Sequence, residues 1–366
     1  MTSENIEKIV SIRPWGTILI EDTLLCDGPN KSGMDDGKNI ACYTHIHDDH
    51  IGGLENALGG VGSRVYATDE TKNLSSALLM QDREWINERT NYFGLEYNKT
   101  IHDGDLDITL RKAHHILGSA QLLVQKKENS ILYSSDFILE GTYTGDKNVK
   151  HLILDATHGS HSKKQKFTDV LESKKNLLAK TREIMIEGSK KQLNIHASRG
   201  TLQLAMSWIR SIIDDPDIPF LASKKDLNLA HGYTVNGHNC GKIEDVDKKF
   251  RNYFDNRHPF IRFISSKNET NCEIVEPVVP SIRIGSSSST SLENDSNMFI
   301  VNLKEHSTVE EVEQYVQAIS PEHIIIDNSS RTKNPENAPY LQQLFKNKDY
   351  DVSLSPKIHP LIRENV

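Results

Sequence analysis

The sequence predicts a mixed α/β protein, because two different hydrophobic patterns follow one another along the chain. Up to about Lys164 the chain consists of short β-rich segments bounded by Gly, Asp or Asn turns, among them NIACYTH, LDITLRKAHH, AQLLVQK, SILYSSDF and HLILDAT. This pattern is typical of one sheet packed on another. Beyond Lys164 an amphipathic helix, TDVLESKKNLLAKTREIMIEG, opens a series of alternating strands and helices, and this alternation predicts a second, α/β module.

The later elements continue this alternation. The segments QLNIHAS, IPFLAS, FIRFISS and SIRIG have strand patterns, and TLQLAMSWIRSIID and KDLNLAHGYTV have helix patterns. The last part of the chain supplies the strand MFIVNL, the helix STVEEVEQYVQAIS and the strand HIIID. We find no internal repeat.

Length and composition indicate a globular protein. The 366 residues are enough for one large domain or two ordinary ones, and 36% of them are hydrophobic. No apolar run is long enough to cross a bilayer and the start lacks signal-peptide features, so we expect a cytoplasmic protein without membrane contact. The net charge of -8 gives no global attraction to nucleic acid, although a local basic groove is compatible with it. The four cysteines form no CxxC pair and are expected to be buried thiols.

The stretch THIHDDH, Thr44 to His50, carries the strongest chemical signal. Strand side chains alternate, so His45 and His47 point to the same side and can bind one cation. Asp49 and His50 follow where IGGLENAL begins a helix, and the turn can direct them to a neighbouring cation. Imidazole together with carboxylate suits zinc or a similar divalent metal, and two close metals can act on a phosphodiester.

Further candidate ligands follow later strands. His114 and His115 come after LDITLRK, Asp136 after ILYSS, and Asp155 after HLIL. A single Asp at a strand end is commonly a turn residue. Acidic or imidazole groups that recur at several strand ends instead predict convergence on one edge of a sheet. Two other histidines near Asp155, His151 and His161, are expected to be solvated.

These motifs together resemble the metallo-β-lactamase fold and its nucleic-acid-processing β-CASP branch. The resemblance covers most of the chain and implies an αββα sandwich with an inserted α/β cap. It divides the chain into a first sandwich segment, 1–163, the cap, 164–296, and a return segment, 297–366. It makes Asp27 in LLCDG a residue behind the metal ligands. It assigns the metal ligands as His45, His47, Asp49, His50, His115 and Asp136, with Asp136 bridging two zinc ions and His115 preferred to His114.

The later motifs of the family are also recognisable. Asp155 matches the acidic motif that opens the cap, and His306 in EHSTVEEVEQYVQAIS matches the next. The following motif departs from the pattern, because Asp327 or Asn328 stands where RNA-processing members have a histidine. This departure leaves occupancy of the second metal site open and leaves RNA and DNA open as substrates. Ser119, His158 and Arg199 are candidate contacts to a substrate phosphate.

The resemblance implies a metal-dependent nuclease for RNA or single-stranded DNA, in RNA processing or DNA repair. Asp49 would orient the attacking water or take its proton, and His306, held by Asp155, would protonate the leaving oxygen. A narrow cleft favours exonuclease action, and the resemblance implies 5′ to 3′ polarity. Endonuclease cleavage is the alternative. A homodimer or a complex with other processing factors is compatible with this reading.

Two other functions are consistent with parts of the sequence. THIHDDHIGGL and EHSTVEEVEQ also resemble stretches of tRNA 3′-processing nucleases, but about 150 residues separate Asp155 from His306 and this length fits the β-CASP cap better. The same insertion disfavours a small-molecule hydrolase. A catalytically weakened scaffold that binds nucleic acid is supported only by the DNSSR departure.

Overall fold

The computed structural model describes residues 9–28, 38–79, 89–157, 169–188, 191–247, 253–254, 257–265, 279–285, 298–332 and 336–356. Internal contacts divide the chain into two compact units. The first unit contains Met1–Ser75, Glu84–Lys164 and His306–Val366, and the second contains Ser76–Arg83 and Gln165–Glu305. Both units combine strands with helices, so the predicted α/β class is confirmed.

The first sheet of the first unit comes from the start of the chain. Its strands follow in chain order across the sheet and are β1 (Val10–Ile12), β2 (Ile18–Ile20), β3 (Leu24–Cys26), β4 (Ile40–Cys42), β5 (Arg64–Thr68) and β6 (Tyr92–Leu95). β1 to β3 pair antiparallel and β3 to β6 pair parallel. Three helices lie between these strands in sequence: α1 (Asp48–Ile51), α2 (Leu54–Gly59) and α3 (Asp69–Leu78).

The second sheet of this unit has the strand order β19-β18-β11-β10-β9-β8-β7. Its strands are β7 (Thr100–Asp103), β8 (Leu106–Lys112), β9 (Ala120–Lys126), β10 (Asn129–Tyr133), β11 (His151–Leu154), β18 (His323–Asp327) and β19 (Asp351–Ser355). β7 to β10 pair antiparallel, whereas β10, β11, β18 and β19 pair parallel. The strands β8, β10, β11 and β18 therefore all end at the same edge of the sheet.

The two sheets of the first unit share one hydrophobic core. Ile18, Leu24 and Ile40 from the first sheet pack with Ile108 and Leu122 from the second. The opposite face of the second sheet carries a separate core with two helices, α7 (Val309–Ile319) and α8 (Asn337–Lys346). Strands that are buried on both faces read as continuous apolar runs, and HLIL and HIIID are such runs. The predicted packing of sheet on sheet is thus present, with helices covering the outer face of the second sheet.

His151 corrects a sequence-based expectation. It begins β11, a central strand in which all four residues are buried, and only 2% of its surface is exposed. The expectation that it is solvated is therefore wrong, because the strand lies between two paired strands and its first residue is covered together with the rest. His161 lies outside the described residues.

The second unit contains a fully parallel sheet with the order β14-β13-β15-β12-β16-β17. Its strands are β12 (Gln192–Ala197), β13 (Phe220–Ala222), β14 (Ile243–Asp245), β15 (Phe260–Ser265), β16 (Ser281–Ile284) and β17 (Met298–Val301). Its helices are α4 (Val170–Arg182), which continues as a π-helical turn over Glu183–Glu187, α5 (Thr201–Arg210) and α6 (Lys224–Val235). Parallel strands joined through helices match the predicted alternation.

The strand β17 moves one predicted boundary. Sequence-based boundaries assign residues from 297 onward to the return segment, but Met298–Val301 pairs in parallel with Ser281–Ile284 of the second unit. The return to the first unit therefore begins at His306. Within the described part of the chain no helix has both the length and the apolar character needed to span a bilayer.

Candidate metal centre

Polar side chains of the first unit collect where its strands end. Asp27 follows β3 directly, His45 and His47 follow β4, and Asp136 and Asp155 follow β10 and β11. A further ligand, His115, lies in the turn between β8 and β9. A backbone hydrogen bond from Ala120 to the Thr44 carbonyl, 3.0 Å long, joins the two sheets at this place. The predicted convergence on one sheet edge is therefore explained by the shared direction of these strands.

Three imidazoles and one carboxylate form the tightest cluster. The nitrogen His47 Nδ1 lies 3.1 Å from both His45 Nε2 and His115 Nε2. Asp136 Oδ2 lies 3.7 Å from His45 Nε2 and 3.6 Å from His115 Nε2. All four ligand atoms fall within 4.8 Å of one another, so these side chains can hold a metal ion.

A second group shares the carboxylate of Asp136. His306 Nδ1 lies 3.9 Å from Asp136 Oδ2 and 3.8 Å from Asp155 Oδ2, and the three ligand atoms again fall within 4.8 Å. The other oxygen of Asp155 accepts hydrogen bonds from the backbone and hydroxyl of Thr157, at 3.1 and 2.7 Å. This turn fixes Asp155 and leaves its second oxygen directed at His306.

Helix α7 begins next to His306 and explains its position. Thr308 caps the helix by accepting from the Glu311 backbone, and the Glu311 carboxylate accepts from the Thr308 backbone at 3.0 Å. This reciprocal pair is a capping box, which fixes the start of the predicted helix. The Ser307 backbone donates to the Phe137 carbonyl at 2.7 Å, which ties the residue after His306 to the residue after Asp136.

The charges of the cluster suit a cation. Burial, together with the neighbouring His50 and His47, holds the pKa of His45 well below its usual value, so its imidazole is neutral. Burial opposes ionisation of Asp136, but His50 and His306 outweigh it and hold the pKa of this carboxyl well below its usual range. Neutral imidazole and ionised carboxylate are the forms in which these groups bind metals.

Asp27 supports the cluster from behind. Its carboxylate is buried and accepts from His50 Nδ1 at 2.7 Å, from the Thr44 backbone at 2.8 Å and from the Thr44 hydroxyl at 2.6 Å. The Ser135 hydroxyl donates to Thr44 Oγ1 at 2.8 Å, which links the loops after β3, β4 and β10. Asp27 therefore contacts a candidate ligand without joining either group of ligand atoms.

His50 and Asp49 lie beside the two groups of ligand atoms. His50 Nε2 is 3.4 Å from Asp136 Oδ2. Burial alone would lower the pKa of His50. The carboxylates of Asp136 and Asp27 have a larger, opposite effect, so the pKa lies well above its usual value. Burial likewise opposes ionisation of Asp49, yet His50 and His47 leave its pKa below the usual value. Within the described residues, neither side chain belongs to the two groups above, and their assignment as metal ligands stays a prediction.

Two of the three predicted phosphate contacts, Ser119 and Arg199, belong to the described residues. Ser119 is fully buried, and its hydroxyl accepts from the Ile116 backbone at 3.1 Å. Arg199 belongs to the second unit, where its guanidinium lies 3.3 Å from Asp226. His158 lies outside the described residues. His114 also stays out of the cluster, because its Nδ1 hydrogen-bonds to the Glu140 carbonyl.

The strand end at Asp327 holds one residue that the sequence did not identify, Arg331. Asp327 forms an ion pair with Arg331 at 2.6 Å, and Asn328 donates from its side chain to the Pro356 carbonyl at 3.2 Å. Arg331 is almost fully buried and also faces Asp27 at 3.9 Å. The spacing of four residues between Asp327 and Arg331 can be seen in the sequence. Nothing in the sequence, however, indicates that the Arg331 side chain is buried.

Comparisons with known proteins give the fold and no function. No protein-family model matches the chain. An uncharacterized protein in the lig 3′ region of Acidianus ambivalens is 35% identical over 80 residues, which are 22% of this chain and 57% of that protein. The chain thus matches little more than half the length of this relative. A crystal structure of a protein of unknown function from Enterococcus faecalis V583 has a TM-score of 0.56 and 14% identity, with 96% of this chain and 98% of that chain covered.

Proposed function

We propose that the protein is a metal-dependent nuclease with a metallo-β-lactamase fold and an inserted β-CASP-like unit, acting on RNA or single-stranded DNA. The observation that carries this proposal is the pair of ligand groups that share Asp136, one with His45, His47 and His115 and the other with Asp155 and His306. Two cations bridged by a carboxylate are a recurrent arrangement in enzymes that cleave phosphodiesters.

The first ligand group fits zinc. Two ligand atoms of a tetrahedral zinc site lie about 3.3 Å apart, given zinc-ligand distances near 2.05 Å. The nitrogen and oxygen separations of 3.1 to 3.7 Å in this group span that value. The second group offers one imidazole and two carboxylates, and carboxylate oxygens also suit manganese. We therefore propose two divalent ions, with zinc at the first position and the carboxylates of Asp136 and Asp155 holding the second ion, while His306 acts as a proton donor and not as a ligand.

The side chains divide the chemistry among them. Bound divalent cations would polarise the phosphodiester and lower the pKa of nearby water. Asp49, ionised and half-buried, would orient the attacking water and accept its proton. His306 would donate a proton to the leaving oxygen, and Asp155 would hold the imidazole of His306 in the productive orientation.

The decisive experiment compares polymers and ends. Protein loaded with zinc or manganese is incubated with RNA and DNA strands of identical sequence, labelled at the 5′ or the 3′ end, beside the Asp136→Asn variant. We expect cleavage that disappears in the variant, and the polymer and label then identify the substrate and the direction. Release of single nucleotides from the 5′ end is the expected product, and internal fragments would instead identify an endonuclease.

A scaffold that binds nucleic acid without cutting it is the second candidate. It is favoured by Asp327 and Asn328, which stand where the resemblance expects a ligand histidine. Binding of RNA or DNA without cleavage, by protein that contains no metal, would replace the nuclease proposal with this one. Cytoplasmic location is part of the proposal, and fractionation of cells that express the tagged protein tests it.

A further inference from the structure

Arg331 occupies a buried position between two carboxylates. Its side chain is 7% exposed, one amino group lies 2.6 Å from Asp327 Oδ2, and the other lies 3.9 Å from Asp27 Oδ2. The guanidinium carbon sits 5.7 Å from the centre of the Tyr133 ring. Burial alone would lower the pKa of Arg331. Tyr133, Asp327 and Asp27 have a larger, opposite effect and raise the pKa above its usual value, so the side chain is a permanent cation.

The surrounding loops are shaped around this side chain. The backbone of Ser329 donates to the Asp327 carboxylate at 2.9 Å and helps to fix the group that anchors Arg331. The hydroxyl of Thr332 donates to the Asp327 backbone carbonyl at 3.0 Å and holds the backbone of the same residue. The methylene groups of Arg331 pass so close to Gly16 that a Cβ there would lie 2.7 Å from them. Gly16 also has a φ of +102°, a conformation that favours glycine. A loop near the start of the chain thus leaves space for Arg331.

Arg331 is the first member of a chain of polar side-chain contacts that ends in the metal centre. It faces Asp27 Oδ2, and the same oxygen accepts from His50 Nδ1 at 2.7 Å. His50 Nε2 in turn lies 3.4 Å from the Asp136 carboxylate that both ligand groups share. The orientation of His50 therefore depends on Asp27, and that of Asp27 on the groups that hold it.

We propose that Arg331 is a positioning residue of the metal centre, which orients His50 through Asp27. The loop after β18 would then influence metal binding without supplying a ligand. The proposal rests on the metal centre of the proposed function, but it does not require that the protein cleaves nucleic acid. Residues behind metal ligands typically change metal affinity by about 10- to 100-fold when they are replaced.

The two anchors of Asp27 differ in what they fix. Thr44 holds both carboxylate oxygens from one side, whereas Arg331 faces only the oxygen that receives His50. A guanidinium fork can reach Asp27 and Asp327 together, and the single ammonium of lysine cannot do so with the same geometry. Arg331→Lys therefore keeps the charge and removes the fork, whereas Arg331→Gln removes both.

Arg111 provides a matched control. It is also a buried arginine, with Nε and a terminal amino group each 2.7 Å from the Asp146 carboxylate, and it packs on the Tyr143 ring at 4.9 Å. Neither Arg111 nor Asp146 belongs to the ligand groups. Arg111→Gln therefore removes a comparable ion pair from the same unit and measures the effect of lost stability alone.

The experiment is a titration of metal-free protein with Zn²⁺ in competition with a chromophoric chelator, accompanied by the visible spectrum of the Co²⁺-loaded protein. We expect the dissociation constant of the more weakly bound Zn²⁺ ion to be about 10- to 100-fold higher in Arg331→Lys and Arg331→Gln than in the wild type. The Co²⁺ spectra of both variants should also differ from that of the wild type. Arg111→Gln should match the wild type within about twofold. Asp327→Asn removes the charge that anchors the guanidinium of Arg331, while Arg331 and Asp27 both remain. This variant should also bind Zn²⁺ less tightly, and it tests the proposal even if Arg331→Gln does not fold.

The proposal is overturned if every Arg331 and Asp327 variant binds Zn²⁺ as tightly as the wild type and gives the same Co²⁺ spectrum. Arg331 would then be a stabilising residue only. Tighter binding by Arg331→Gln would also overturn it, since Arg331 would then act by repelling the cation. The titration contains no nucleic acid. A wild-type protein that binds Zn²⁺ but cleaves no polymer would therefore refute the proposed function and leave this proposal to be decided by the titration.

Discussion

Each unit buries a carboxylate near the carboxyl ends of its strands, and the two carboxylates have different neighbours. In the second unit Asp226 is fully buried near the carboxyl ends of parallel strands, and donors surround it: Ser223 at 2.6 Å, Ser265 at 2.9 Å and Arg199 at 3.3 Å. In the first unit Asp136 faces imidazoles that also face one another. The first arrangement is complete within the chain, whereas the second brings together groups that a cation would hold.

Glu305 shows the same completeness in the second unit. Its carboxylate accepts hydrogen bonds from the hydroxyls of Ser198 and Thr201 at the start of α5. A helix N-terminus attracts anions because its backbone N–H groups lack partners in the helix. The carboxylate of the chain itself lies at this position. A strand-end carboxylate is therefore evidence for a metal only when its neighbours are further ligands and not donors.

The largest expected effect tests the shared carboxylate. Asp136→Asn keeps the shape of the side chain and removes the charge from both ligand groups, so metal content should fall at both positions. If several kcal/mol of transition-state stabilisation depend on the metals, the cleavage rate falls on the order of 10⁴-fold. Elemental analysis and the end-label assay measure the two effects. Full metal content together with full activity would show that Asp136 does not bind a metal.

The next prediction separates two roles of His306. As a proton donor, it should be needed for nucleic acid but not for bis(p-nitrophenyl) phosphate, because p-nitrophenolate leaves without a proton. We expect His306→Ala to lose about 10³-fold on nucleic acid and less than about tenfold on the chromogenic ester, with metal content preserved. Equal losses on both substrates, accompanied by loss of a metal, would make His306 a ligand.

The second unit should respond through stability. Asp226→Ala leaves Arg199 without its buried partner and deprives Ser223 and Ser265 of their acceptor. We expect the free energy of unfolding to fall by about 3 kcal/mol, while the metal content of the first unit is unchanged. Denaturant unfolding with parallel elemental analysis measures both. Loss of metal without loss of stability would contradict the contrast between the units.

The smallest expected effect concerns His151, at the end of the second sheet that lies opposite the candidate metal centre. Burial, with smaller contributions from His323 and Lys150, lowers the pKa of His151 from its ordinary value of 6.5 to about 4. Because the folded pKa is depressed, the unfolded chain takes up the proton first, and stability is lost as the pH falls from about 6.5 toward 4. We expect a loss of about 2 kcal/mol between pH 7 and pH 5.

This prediction has its own control. His151→Phe should remove most of that pH dependence from the denaturant midpoint. His102→Gln should not, because His102 is largely exposed and paired with Asp107. An acid slope that persists in His151→Phe would assign it to other groups.

Much of the metal centre could be predicted because its ligands are close together in sequence or follow strong strand patterns. The spacing of His45 and His47 and the position of Asp136 after a buried strand are local features, and the structure places all three in one cluster. The supporting residues were harder to predict. Ser135 has a φ of 53°, unusual for a residue other than glycine, and this conformation directly precedes Asp136. No local sequence pattern predicts this backbone conformation at a serine.

By itself the sequence determined the α/β class, the strands that end in candidate ligands and the helix that follows His306. These features depend on residues a few positions apart, so the periodicity of strands and helices reveals them. Only the tertiary structure decided that His151 is buried, that β17 belongs to the second unit and that Arg331 lies beside Asp27. Those facts depend on contacts between residues far apart in the chain. Strand order and side-chain packing determine such contacts, and local propensity carries no information about them.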